Sequence, residues 1–178
     1  MTGFLRFFGM LNAAVWLGAT AFFTLAVTPA AGSRDLFEVL GEKYFGYLSG
    51  AIIQIILTRY FYWHIVCALI AWLHLLAEWL YLGRTARRFW LALLGGLLAA
   101  GLVGGIWLGP KLRELHRGAH ALNLRVEDRA AAMKRFEFWH GVFQGLNLFL
   151  LGGVAVYFWH ATHPPDEVRF VGSSQFRG

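Results

Sequence analysis

Cysteine occurs once in the 178 residues, at Cys67, so neither a disulfide framework nor a thiolate metal cluster can be built within one chain. Charge is scarce as well. Asp, Glu, Lys and Arg make up 15% of the sequence while 58% is apolar, well outside the balance of a water-soluble domain. There is no nucleophile beside a base, no phosphate-cradling glycine loop and no pair of carboxylates, so the chain carries no positive sign of catalysis and is expected not to be an enzyme. The formal charge of +6 does not form a basic face with interleaved aromatics. Its arginines flank apolar runs, which sets nucleic acid aside and points to the anionic headgroups of a lipid bilayer as partner.

What the chain has in abundance is uncharged length. Residues 7–33, 60–77, 89–110 and 138–165 contain no Asp, Glu, Lys or Arg. Each is long enough to span, since a bilayer core needs about 20 mostly apolar residues. Aromatic residues reach 17%, with eight tryptophans, and crowd the edges of these runs, where amphipathic rings favour the headgroup zone. The expectation is one all-α membrane domain: a four-helix bundle with spans near 5–30, 58–82, 88–110 and 136–162, a polar loop over 111–135 and a polar tail over 163–178. Arg6 and the small residues Ala30-Ala31-Gly32 imitate a signal peptide with its cleavage site. The run is too long for a signal core and carries Trp16, so the first helix is expected to be retained.

Between spans one and two, residues 35–57 read as an amphipathic or re-entrant connector. Leu36, Phe37, Leu40, Tyr44 and Phe45 oppose Asp35, Glu38, Glu42 and Lys43, and the uncharged stretch 44–58 is short and interrupted by Gly46, Ser49 and Gly50. Lys and Arg are more numerous on the side that carries this connector and the 111–135 loop. The dense basic turn around Arg84, Arg87 and Arg88 pulls the other way, so orientation stays open. In span three Gly101, Gly105 and Gly109 recur every fourth residue beside Gly104, a groove that lets another backbone approach closely.

Glu137, His140, Gln144 and Asn147 in span four follow spacings of three, four and three and share one helical face. Lipid cannot satisfy such groups, so the stripe is expected to point into the bundle and fix helix order by hydrogen bonding. Span two contributes Gln54 and Thr58 from its approach, then His64 and His74. His64 and His140 lie at similar depth, and two facing imidazoles could ligate a b-type haem. A transporter whose polar path includes Gln54, His64, His140, Gln144 and Asn147 is a third reading. His116 and His120, four apart, resemble half of a divalent-metal site, but no third ligand stands nearby and Arg113 and Arg117 make the surroundings basic. His160 and His163 are expected at the membrane interface, before Pro164-Pro165 stops the helix. The leading expectation is a non-enzymatic membrane protein without cofactor or metal, acting as an accessory or structural subunit with other membrane subunits as partners.

Two patches carry a resemblance. Trp16-Leu-Gly18-Ala-Thr-Ala-Phe22-Phe23 leads to Val27-Thr28-Pro29 in span one, and residues 136–141 with Asn147-Leu148 follow in span four. Together with the amphipathic connector they resemble the transmembrane protein 205-like family, small four-span membrane proteins defined by a domain of unknown function. The resemblance would cover the chain up to about Ala161. It implies that Trp16, Gly18, Pro29, His140, Gly141 and Asn147 matter, and it implies no reaction. Val142-Phe143 stands where a small hydroxyl residue would be typical, which departs from the pattern at the polar site.

Overall fold

A computed structural model describes residues 2–82 and 88–163, and every described element is helical. The basic turn with Arg84 and Arg87 and the tail from Pro164 onward lie outside the described residues. Helix α1 (Thr2–Phe22) passes through a π turn (Phe23–Val27) into α2 (Thr28–Ala31). After α3 (Arg34–Leu40) come α4 (Glu42–Leu82) and α5 (Arg88–Leu102). A second π turn (Val103–Leu108) leads into α6 (Gly109–Ala119), and α7 (Val126–Thr162) completes the bundle. Four helical stretches are long and apolar enough to cross a membrane, as the charge-free runs predict. This is a multi-pass membrane protein.

In both cases proline stands at the second position after the π turn, and the chemistry explains why. Pro29 and Pro110 cannot donate a backbone bond, and each ring would collide with the carbonyl four residues back, at Leu25 and Ile106. Widening the preceding turn relieves that collision. The amide of Thr28 donates to Phe23 O and that of Gly109 to Gly104 O, five residues back in each case. The Thr28 hydroxyl adds a second bond to Phe23 O at 3.0 Å.

The connector differs from its expected form. Only α3 is separate, capped by Ser33, whose side chain accepts from the Leu36 amide at 3.2 Å. Gly41, at φ +70°, makes the break that a residue with a Cβ would resist. From Glu42 onward the helix runs without interruption through Arg59 into the second span, so 44–58 is one continuous helix with that span and not a separate element. Gly46 and Gly50 do not break it: Gly50 faces His116 of α6, and the exposed Gly46 lies beside His120, the residue just after α6. At 1.5 Å per residue the 41 residues of α4 reach about 62 Å, twice a hydrocarbon core, so α4 projects beyond the membrane.

Helices α1 and α5 each pack against both α4 and α7. The core runs along the shared axis: Trp16, Phe23, Phe61, Leu94, Leu97, Leu108, Leu150 and Val154 are buried, with Ala13, Ala68 and Ala71 where backbones approach. Phe23 stacks on Tyr60 at 4.3 Å between ring centroids, and Phe143 meets both Phe23 and Phe61 edge-on.

Candidate functional site

The polar centre of the bundle is built first by α1 and its continuation through the π turn into α2. Asn12, Trp16, Thr20, Thr24 and Thr28 stand four apart, and the first three are buried while the last two are half-buried. The Thr20 and Thr24 hydroxyls donate to the carbonyls of Trp16 (2.9 Å) and Thr20 (2.7 Å), so these side chains satisfy themselves on their own helix. Asn12 and Trp16 reach across to α4. Asn12 Nδ2 donates to Cys67 O at 3.0 Å, and Trp16 Nε1 donates to His64 Nδ1 at 2.9 Å.

His64 is the hub. Because indole N–H can only donate, His64 Nδ1 is an acceptor. Its Nε2 lies 3.1 Å from Leu97 O, a group that can only accept, so Nε2 carries the proton. Both ring nitrogens are thus committed, and one neutral imidazole ties α1, α4 and α5 together. The ring reaches the α5 backbone because Gly101 presents no side chain: a Cβ there would fall 2.6 Å from His64 Cδ2.

The same device occurs three times among the described residues. His74 Nε2 donates to Leu5 O at 3.0 Å across the notch of Gly9, where a Cβ would sit 2.4 Å from that nitrogen. His116 Nε2 donates to Tyr47 O at 3.0 Å across Gly50. In each case the accepting carbonyl lies three or four residues before the glycine, one helical turn away. A helix carbonyl already bonded to its own amide has a second lone pair, and a missing Cβ gives an imidazole access to it. Of the predicted glycine groove, Gly101 receives His64, while Gly104 and Gly105 receive Phe61. Gly109 faces the carbonyl of Gly104 on its own helix.

The fourth helix closes the network at Asn147. Its Nδ2 donates to Thr24 Oγ1 at 2.8 Å, and its Oδ1 accepts from the Tyr60 hydroxyl at 2.9 Å, linking α7, α1 and α4. The rest of the predicted stripe does not face inward. Glu137 and Gln144 are exposed and His140 is half-buried, lying against Phe136 and Phe143 with Gln144 Nε2 3.3 Å from its Nε2. The reason is helical phase. The buried ridge of α7 is Phe143, Asn147, Leu150, Val154 and Tyr157, stepping by four and three. At about 100° per residue, Gln144 lies a quarter turn or more from Phe143 and Glu137 lies further round still.

His64 and His140 are therefore different in kind: one is sealed in the centre, the other sits at the rim. His116 and His120 do come together, with ring centroids 4.6 Å apart and Tyr47 against both, and Phe136 packs on His116. His120 Nδ1 donates to His116 O at 3.0 Å. Among the described residues no group of three or more His, Cys, Asp or Glu is placed to hold a metal ion. Near the opposite end of α7 His160 stacks on Trp90 at 3.7 Å and His163 on Trp159 at 4.1 Å. Gln54 is 8% exposed, and its Nε2 has no partner among the described residues.

The α1 stripe and the histidine notches were missed by reasoning from charge-free runs and the α7 pattern. Their signals were present: a polar or indole group every fourth residue from Asn12 to Thr28, and a histidine in one helix for a glycine in another.

A family model described as a domain of unknown function, DUF4149, matches residues 11–121. The chain belongs to this family. No curated protein and no solved structure matches it. The DUF4149 match runs from within α1 to just beyond α6, so it takes in Asn12, Trp16, His64, Leu97 and Gly101. The clasp of His64 between an indole and a backbone carbonyl lies wholly inside the DUF4149 domain. Asn147 and the outer polar residues of α7 lie beyond its matched end.

Proposed function

We propose that this DUF4149 protein is a non-catalytic subunit of a membrane assembly, a rigid bundle that another transmembrane helix recognises along the outer face of α7. The observation that carries this reading is Gln144. It is exposed six residues inside the charge-free run that starts at Phe138, about 9 Å along the helix axis. Its Nε2 meets His140 on its own helix, but lipid offers the rest of the amide no hydrogen-bond partner, whereas a neighbouring helix does. Gly141, Gly145 and Gly152 lie on the same exposed side, and a Cβ at any of them would meet nothing within 4 Å, so a second backbone has room to approach. The centre supports the same conclusion, since Asn147 and both nitrogens of His64 are committed to hydrogen bonds within the bundle.

The haem reading asks His64 for a free lone pair. Its Nδ1 already accepts from Trp16, its Nε2 holds the proton given to Leu97, and the ring edge fills the Gly101 notch, so the residues present do not fit an axial ligand. The oxidised and dithionite-reduced spectra of detergent-purified protein are accordingly expected to lack a Soret band. A stoichiometric band lost in both His64→Ala and His140→Ala would overturn this. A transport path from Gln54 to His64 would have to pass Phe61 and the stacked rings of Phe23 and Tyr60. Kinship with the transmembrane protein 205-like family is a finer proposal. It draws support from the work done by Trp16, Pro29 and Asn147, while Gly18 opens onto free space.

A photo-crosslinking residue at Leu148, on the Gln144 side of α7, tests the assembly role in native membranes. A discrete protein adduct is expected there, lost on Gln144→Leu and absent when the probe is moved to exposed Leu69 of α4. Indistinguishable lipid adducts at both positions would sink the reading.

A further inference from the structure

Helix α6 buries Leu112, Leu115 and His116 and turns the opposite side outward. On that outward side Pro110, Arg113, Glu114 and Arg117 line a groove of about 350 Å³. Their spacing of three, one and three places them along one face of the helix. The acidic member is already neutralised, because Lys111 Nζ lies 3.1 Å from Glu114 Oε2. Neither Arg113 nor Arg117 takes part in an ion pair among the described residues. The groove therefore presents two guanidinium groups, one helical turn apart, beside a carboxylate, Glu114, that is paired with Lys111.

Its depth is set by what lies below it. The charge-free run of the third span ends at Pro110, and the indoles of Trp107 and Trp139 meet edge-to-face at 5.0 Å, a belt of the kind found at the membrane surface. Arg113 stands about 4.5 Å beyond Pro110 and Arg117 about 10 Å beyond it, in the layer that phosphates occupy. Below the groove the same helical stretch exposes Val103, Ile106 and Trp107. A cationic cup thus sits above an apolar wall.

We propose that this groove is a binding site for an anionic phospholipid, its headgroup phosphate held by Arg113 and Arg117 and an acyl chain lying along Val103, Ile106 and Trp107. Guanidinium forks match phosphate oxygens two at a time, a geometry that lysine does not provide. The apolar wall distinguishes a lipid phosphate from one free in water. The site does not depend on the assembly role of α7.

Native mass spectrometry of the full chain, released from nanodiscs of mixed phosphatidylcholine and phosphatidylglycerol, reads the preference directly. Wild type is expected to retain phosphatidylglycerol several-fold over its share of the bilayer. Arg113→Gln with Arg117→Gln should bring that ratio to about one. Arg113→Lys with Arg117→Lys, which keeps charge and the helix, should lose most of it. The charge-matched control, Arg125→Gln with Lys134→Gln at the same end of the bundle, should keep it. Equal loss in the control would show a diffuse charge effect and overturn the site, as would unchanged retention in the Gln pair. Displacement by millimolar inorganic phosphate would overturn the lipid assignment.

Discussion

Gly101→Ala is expected to lower the thermal midpoint of the detergent-solubilised protein by about 2–12 °C. An added Cβ would fall 2.6 Å from His64 Cδ2 and 3.3 Å from its Nε2, both part of a ring held on two sides. The imidazole cannot retreat without lengthening its bond to Trp16 or to Leu97. Overpacking of this kind costs about 1–3 kcal/mol, and about 2–4 °C accompanies each kcal/mol in a chain of this size. Gly145→Ala is the control, because a Cβ there meets nothing within 4 Å and alanine is the better helix former. A double-mutant cycle sharpens the test. In a His64→Ala background the collision partner is gone, so Gly101→Ala should cost little, and the coupling isolates the notch. Equal midpoints for Gly101→Ala and Gly145→Ala would mean that the notch is not tightly packed.

The same glycines show what could be read beforehand and what could not. Four crossings followed from charge-free length alone, because hydrocarbon excludes charge wherever the chain folds. Gly101, Gly104 and Gly105 were legible as a packing groove from their spacing, but their partners His64 and Phe61 lie on another helix, and no local pattern names a residue some 40 positions away. The charge-free run from residue 60 does not mark where the helix itself begins: α4 runs through Arg59 from Glu42, with Arg59 exposed on the outside of the helix. A long arginine stem can carry its head toward the interface while the helix continues, so one cation bounds a span poorly. The stripe of span four failed differently. Residues three and four apart share a face, but which face is buried depends on the apolar ridge beside them, and Phe143, Leu150, Val154 and Tyr157 take Asn147 inward while leaving Gln144 out.

Asn147→Leu carries the second large effect, an expected loss of about 1–3 kcal/mol. Leucine removes the acceptor of the Tyr60 hydroxyl and leaves that buried donor only the Thr20 hydroxyl beside it, whereas Thr24 keeps its own bond to Thr20 O. Tyr60→Phe deletes the donor itself and should cost less, leaving Asn147 Oδ1 an under-used acceptor. The cycle between these two should give a coupling of about 0.6–1.7 kcal/mol, the range for interhelical hydrogen bonds in membranes. Asn147→Asp should be the most damaging of the three, since it sets a carboxylate oxygen against Thr24 Oγ1, whose hydrogen is already given to Thr20 O at 2.7 Å. Reversible unfolding in mixed micelles, followed by circular dichroism, gives this order directly. The order Asp, Leu, Phe is what a saturated, structural centre requires. An Asn147→Leu variant as stable as the wild type would mean that the Tyr60 hydroxyl turns to another partner, either Thr20 beside it or water admitted to the bundle, and the second of these, a wet centre, is what a polar path needs.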